Sequence, residues 1–104
     1  MREIWFCHLG VNVGFEQDGS NEQKLRPILI IKKFNNEVCW IIPLTKSKKA
    51  GPYYFPVRFV SDAESKAILS QLRLIDGKRL KYKAGYIDEQ AFGDIQKRLK
   101  DFLS

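Results

Sequence analysis

Arg26-Pro-Ile-Leu-Ile-Ile31 and Val38-Cys-Trp-Ile-Ile42 are the two stretches whose reading decides the fold. Each is a short run of apolar, mostly β-branched residues, bounded by turn formers, which is the signature of a strand rather than a helix. The run over 28–31 is unbroken by polar residues, so it reads as a central strand covered on both faces. Pro27 stands at the first strand position, where a missing N–H costs no ladder bond. Asn35-Asn36 fits a two-residue hairpin turn, because asparagine tolerates positive φ. Pro43 is expected to end the return strand, with Leu44-Thr45 just beyond it and the basic loop Lys46-Ser-Lys-Lys-Ala-Gly51 following.

Working outward, residues 4–9 read as a first strand, aromatic and β-branched. Residues 10–25 form a long loop punctuated by Gly10, Gly14 and Gly19, and a loop of that length in a small domain is functional or mobile. Tyr53, Phe55, Val57 and Phe59 alternate as a half-buried strand does. A polar break over 61–66 precedes a strand over 67–75, and Asp76-Gly77 is a turn signal. Residues 78–87 admit two readings. Leu80, Tyr82, Ala84 and Tyr86 line one face of a strand, or a tight turn at 78–80 leads to a short strand near 85–87. Asp88 is a good N-cap, and Phe92, Ile95, Leu99 and Phe102 step by three and four along one helix face. Gly93 weakens that helix by about 1 kcal/mol relative to alanine. Five or six short strands and one C-terminal helix predict a mainly β domain over 1–104, a small antiparallel barrel or curled sheet with the helix laid on it.

At 104 residues the chain fits one domain with an adequate but small core, which dimerisation would extend. Eighteen basic against 12 acidic side chains give a formal charge of +6, which suits nucleic acid or an acidic protein. Cys7 and Cys39 lie in apolar runs and read as buried free thiols in a reducing cytosol. No apolar stretch of about 18 residues spans a membrane. The first residues enter a strand at once, so no signal peptide is expected and the chain is placed in the cytoplasm.

His8 is the sole histidine, which excludes a two-histidine ribonuclease mechanism, and it reads as a structural side chain with one hydrogen bond. No cluster has metal-ligand spacing, and no nucleotide fingerprint or nucleophile elbow occurs, so neither a metal nor a cofactor is expected. What remains is metal-free phosphoryl chemistry. It needs a base, a cation to hold the phosphorane charge and a donor for the leaving oxygen. Glu16 serves as base or orients one, Arg26 offers a planar fork for phosphate oxygens, and Thr45 donates to a non-bridging oxygen. Arg26 equally fits an ion pair with Glu16 or Asp18 across the loop mouth, and Thr45 an ordinary strand end. Gln71 and Arg73 fall on one face of an alternating strand, which suits a cleft or interface as well as a solvated face. Lys46, Lys48 and Lys49, with Arg79, Lys81 and Lys83, make two basic clusters able to track an RNA backbone, with Phe15, Tyr53 and Tyr54 as stacking surfaces.

Taken in order, Ile4-Trp5-Phe6, Gly14-Phe-Glu-Gln17, Arg26-Pro-Ile-Leu-Ile30, Ile42-Pro-Leu-Thr45, Leu69-Ser-Gln-Leu-Arg-Leu-Ile-Asp76, Lys78-Arg-Leu80 and Gly85 resemble the MazF/PemK (Kid-like) toxins of type II toxin–antitoxin modules. The resemblance runs over essentially the whole chain. It implies a small SH3-like antiparallel β-barrel of the CcdB/Kid/MazF type with a C-terminal helix, working as a homodimer. It also implies metal-independent, sequence-specific cleavage of single-stranded RNA, leaving a 2′,3′-cyclic phosphate and a 5′-hydroxyl. The family's catalytic arginine falls on Arg26, its strand-closing threonine on Thr45 and its loop glutamate on Glu16, with Gln17 beside it. Its strand glutamine and arginine fall on Gln71 and Arg73, and Lys46, Lys48 and Arg79 join them as RNA-binding candidates. A cognate acidic antitoxin is the implied partner, and a +6 surface suits it.

The sequence also departs from the pattern. The loop between Gln17 and Arg26 is longer than usual, Phe15 replaces a small residue or histidine, and His8 stands where an aspartate is common. An Asp and Arg used by some members in the strand before the glutamine are Ser70 and Ile68 here. Two rivals remain: a non-catalytic barrel binding RNA or antitoxin, and a gyrase poison on the same fold. The gyrase poisons carry a tryptophan near the C-terminus, whereas this chain ends Phe102-Leu-Ser104.

Overall fold

In the computed structural model, residues 2–8, 25–35, 37–46, 50–60 and 63–103 are described. The expected central strand extends beyond its apolar run: β1 spans Glu3–Cys7 and β2 spans Arg26–Lys33. β3 covers Val38–Thr45 and returns antiparallel to β2, with Ile28 opposite Pro43, Leu29 opposite Ile42 and Ile30 opposite Ile41. Pro43 therefore lies inside the strand and does not end it. A proline is tolerated there because the second edge of β3 carries no ladder at Ile42 and Pro43, so that stretch behaves locally as an edge. The hairpin loop is also longer than a two-residue turn. The Phe34 N–H donates to the Val38 carbonyl, and Asn35 Oδ1 accepts from the N–H groups of Glu37 and Val38. Asparagine acts here through its side chain, which caps the turn.

β4 spans Tyr54–Val60 and β5 spans Ala63–Ile68, so the polar break expected over 61–66 contains a strand. β5 lacks an apolar run because only two inward positions matter, Ser65 and Ala67, and both are small. Pairing with β4, such as Val57 opposite Ser65 and Phe55 opposite Ala67, supplies what local propensity does not. The strand expected over 67–75 is divided by a 3-10 turn at Leu69–Gln71, after which β6 runs Arg73–Asp76. A second 3-10 turn, Gly77–Arg79, is capped by Asp76, whose carboxylate accepts from the Lys78 N–H, and β7 follows over Leu80–Tyr86. Both sequence readings of this segment thus hold in part. The turn at Lys78 is real, and the strand behind it is long.

The hydrogen-bonded order is β4-β5-β3-β2-β1-β7, with β6 pairing β3 beside β5. β4 and β7, the two ends of the path, come close without sharing a ladder among the described residues, so the sheet curls but is not closed. The α-helix α1, Glu89–Leu103, starts as expected: the Asp88 carboxylate accepts from the Ala91 N–H at 3.3 Å. Its buried side chains are Phe92, Ile95 and Leu99. Phe102, expected on the same face, is partly exposed and packs against Tyr53, with ring centroids 5.0 Å apart and planes tilted by 45°. The outcome is a mainly antiparallel β fold with one C-terminal helix.

Alternation divides the apolar residues of the sheet into two cores. Ile4, Leu29, Ile42 and Leu44 pack with the helix, while Cys7, Ile28, Ile30, Cys39, Ile41 and Ile75 form a second cluster on the other face. Burial on both faces is what the unbroken Ile28–Ile31 run requires. At the first strand, Glu3 accepts a hydrogen bond from Trp5 Nε1 at 2.8 Å and lies 3.4 Å from Lys33 Nζ. Burial by itself would raise the Glu3 carboxyl, but the Trp5 bond and then Lys33 outweigh it, and the group sits below its ordinary range.

Two measurements test this packing. Gly93 lies on the solvent side of α1, and a Cβ there meets nothing within 4 Å. Gly93→Ala is therefore expected to raise stability by about 1 kcal/mol in a denaturant titration. Glu3 has a lowered folded pKa, so its contribution is complete above the unfolded carboxylate pKa of roughly 4.3 and fades as pH falls through the lower folded value. Glu3→Gln should flatten the acid side of the stability–pH profile, and a Tm that follows the parent's acid decline would contradict the assignment.

Candidate functional site

Arg26 opens β2 and is exposed, while Thr45 closes β3 and is half-buried. The β2–β3 register is printed in the backbone by the Ile28–Pro43 pair. Two further steps in that register set Arg26 across from Thr45, at one end of the hairpin. Directly opposite residues share a face of a sheet. Arg26 is also opposite Cys7 in β1, and Arg73 is opposite Ile41. Counting by twos, Cys7, Arg26, Ile28, Ile41, Thr45 and Arg73 belong to the face of the second core. Arg26, Thr45 and Arg73 therefore form the polar margin of that apolar cluster.

The electrostatics of Cys7 place two guanidiniums near the same spot. Burial pushes its thiol up to about 11, while Arg79 and then Arg73 pull it the other way. Cys7 and Cys39 are both free and buried, as their apolar runs predict. Burial likewise raises Cys39. Neither thiol is an activated nucleophile, since reactive cysteines carry lowered pKa values. Arg79 sits in the turn before β7, where its carbonyl accepts from the His8 N–H at 3.3 Å.

The break between β5 and β6 shapes the rest of the margin. On its second edge β3 pairs with β6 from Val38 to Ile41, then with β5 at Leu44 and Thr45. Between them, residues 68–72 face only Ile42 and Pro43. Five residues cannot lie flat against two, so the chain bulges into its 3-10 turn, and the Leu69 N–H turns away to the Tyr53 carbonyl at 2.8 Å. This turn pushes Ser70 and Gln71 out to solvent. Gln71 and Arg73 are consequently not neighbours on one face of a continuous strand. Gln71 sits on the exposed bulge, and Arg73 starts the strand after it.

Lys46 is exposed just past Thr45. Glu16, Gln17 and Lys48, with Phe15 and Asp18, lie outside the described residues. His8 is half-buried, and its Nδ1 is buried without a hydrogen-bond partner among the described residues. Among these residues no group of three or more His, Cys, Asp or Glu is arranged to hold a metal ion. No helix among them is long and apolar enough to cross a membrane.

Sequence reasoning missed two surfaces. Across three strands, Lys32 is opposite Trp40 and Trp40 is opposite Leu74, with Phe34 edge-on to Trp40 at 6.3 Å. Phe34 and Leu74 are each half exposed, so this apolar row is left uncovered by the chain itself. The signal was present as aromatics at a hairpin tip, which read equally well as core. The second surface is the outer row of β7, treated below.

A small, curled, mainly antiparallel sheet with one helix on it is a fold shared with solved bacterial toxins. A MazF from Deinococcus radiodurans superposes with a TM-score of 0.75 at 16% identity, over 98% of this chain and 92% of its own. An endoribonuclease in complex with its cognate antitoxin, from a mycobacterial species, gives 0.73 at 15% identity, covering 98% and 91%. A MazF toxin of Mycobacterium tuberculosis gives 0.72 at 15%, covering 98% and 96%. No curated protein matches the chain at the level of sequence. The chain belongs to the PemK-like, MazF-like toxins of type II toxin–antitoxin systems, whose family pattern it matches over residues 2–103.

Because Cys7 is buried and its thiol titrates near 11, a disulfide reagent at pH 8 should find it unreactive in the folded protein. Both thiols should label on unfolding in urea. Rapid labelling of Cys7 in the native state would contradict its placement in the second core.

Proposed function

We propose that this chain is the toxin of its module and acts as an endoribonuclease on single-stranded RNA. The family membership supports the class of activity. The observation that carries the reading to residues is the strand register, which brings Arg26 and Thr45 to one margin with Arg73 on the same face. Arg26, exposed at the mouth of β2, offers two parallel N–H donors to the oxygens of a scissile diester. As the RNA 2′-hydroxyl attacks, negative charge grows on the non-bridging oxygens, and a fixed guanidinium stabilises it more than the ground state. Thr45 donates a second hydrogen bond to that phosphorane. Attack by a neighbouring hydroxyl needs no metal-bound water, and it leaves a 2′,3′-cyclic phosphate and a 5′-hydroxyl.

In this reading Glu16, with Gln17 beside it, takes the 2′-hydroxyl proton or orients the group that does. Gln71 on its exposed bulge, Arg73, Lys46, Lys48 and Arg79 hold the flanking RNA. Phosphate contacts of this kind set affinity and its salt dependence rather than sequence choice. The cleavage is sequence-specific because the groove shape selects which bases reach the margin. A homodimer is the working unit, in the cytoplasm, and the uncovered Phe34-Trp40-Leu74 row is consistent with burial against another chain. A cognate antitoxin, acidic and extended, covers the RNA-binding margin, where its charge suits a chain of net +6.

Arg26→Ala should lower cleavage of a long single-stranded RNA by about 100-fold or more, as loss of a transition-state donor does. Its circular dichroism and Tm should match the parent, because Arg26 is exposed. Mapping the ends of the fragments with and without EDTA reads activity, motif and end chemistry together. Undiminished cutting by Arg26→Ala, or cutting abolished by EDTA, contradicts the mechanism.

A further inference from the structure

Tyr82 is 52% exposed on β7. It is directly opposite Phe6 across β7 and β1, and the two rings stack with centroids 5.1 Å apart and planes tilted by 30°. Tyr86, equally exposed, differs: Lys83 Nζ lies 4.9 Å over its ring and donates to its hydroxyl at 3.0 Å, and Arg2 sits 5.7 Å from the same ring. No cation lies over Tyr82 among the described residues. Its surroundings are basic nonetheless. Lys78, Arg79, Lys81 and Lys83 fall between Asp76 and Asp88, and no carboxylate does. Lys81 is the extra residue at the bulge that leaves Leu80 opposite Cys7 and Tyr82 opposite Phe6, and a bulge re-aims the side chain it carries.

We infer that Tyr82, backed by Phe6, is a base-stacking platform for single-stranded RNA, with Lys81 holding the adjoining phosphate. The inference rests on the endoribonuclease reading and adds a subsite to it. Phe6 is opposite Tyr82 on one side and Pro27 on the other, and Pro27 follows Arg26. Two strand spacings separate Tyr82 from Pro27, about 10 Å. The pleat turns Arg26 and Phe6 to opposite faces, but β1, β2 and β7 all end at this margin, at Cys7, Arg26 and Leu80. An RNA strand passing over the margin meets the guanidinium on one side and the open ring on the other. A ring face is sequence-tolerant, since every base presents a π-face, so this subsite adds affinity without choosing the cleavage motif. Cations around an open ring suit a polyanion with planar bases. An apolar protein surface would be better served by the Phe34-Trp40-Leu74 row.

The test is steady-state cleavage of a single-stranded RNA by the full chain and its Tyr82→Ala, Tyr82→Trp and Lys81→Ala variants. Tyr82→Ala should raise KM about tenfold, the scale of one lost base–aromatic stack, with kcat within about twofold. Tyr82→Trp should keep the parent KM. Lys81→Ala should reduce the slope of log affinity against log salt by about 1, and Tyr82→Ala should leave that slope unchanged. Trimming the RNA one nucleotide at a time from each end should reach a length at which parent and Tyr82→Ala have equal KM. Cutting by the parent with an unchanged KM for Tyr82→Ala overturns the platform and leaves the nuclease reading standing. A Tyr82→Ala variant that loses self-association or antitoxin affinity while its KM holds assigns the ring to a protein interface and overturns it too. A parent that neither cuts nor retains RNA removes both.

Discussion

Everything in this fold depends on β3 being hydrogen-bonded along both edges. β2 occupies one edge, and β6 and then β5 occupy the other. A strand held on two sides cannot slide without breaking both ladders. A one-residue slip of β2 would exchange its two faces, and the run Ile28–Ile31 would tolerate that exchange because both parities are apolar. The two ladders hold the register without help from the arginine at the strand mouth, which therefore stays at the margin as a candidate phosphate ligand.

Pro43 couples the scaffold to the site. It sits where β3 passes from β6 to β5, and the chain opposite it swells into a 3-10 turn. The turn is a consequence of unequal lengths, five residues against two. Its effect is to detach Gln71 from the strand and hold it in solvent, while Arg73 re-enters the ladder against Ile41. A flat strand here would have given two side chains on one plane. The bulge instead sets Gln71 in an exposed turn and Arg73 in the ladder, on backbone anchored at both ends.

How much of this was legible in the sequence follows from which interactions are local. The central hairpin and the helix were legible because their apolar spacing records which side is buried: Ile28–Ile31 on two faces, Phe92, Ile95 and Leu99 on one. The helix cap was legible from Asp88 itself. β5 was not, because Ala63-Glu-Ser-Lys-Ala-Ile68 has no periodic apolar face and becomes a strand only through β4. Pro43 was misread as a stop because proline's local effect is clear, whereas the ladder that carries the chain through it is a tertiary fact. At the site, Arg26 and Thr45 could be paired from hairpin geometry. Gln71 and Arg73 were placed on one face only because the interruption at Leu69 leaves no mark in composition. Phe6 and Tyr82 escaped notice because their pairing depends on two bulges in β7, which shift register where no glycine or proline announces it at Lys81.

The behaviour of Cys7 narrows what the arginines are for. A thiol beside two guanidiniums is the usual arrangement for lowering its pKa and raising its reactivity. Here Arg79 and Arg73 both act on Cys7 in that direction, yet burial wins and the thiol ends near 11. The cations therefore do not activate the sulfur. Nor does Arg73 have a carboxylate within ion-pair distance among the described residues; the Glu3 carboxylate pairs with Lys33. Arg73, which neither activates the thiol nor pairs with a described carboxylate, adds to the electrostatic cost of folding at +6. That cost is offset only when an anion arrives from outside. In the proposed reading, an RNA phosphate and an acidic antitoxin would both meet the requirement at the same arginine-bearing margin. The same charge that draws the substrate in would then let the antitoxin compete for it.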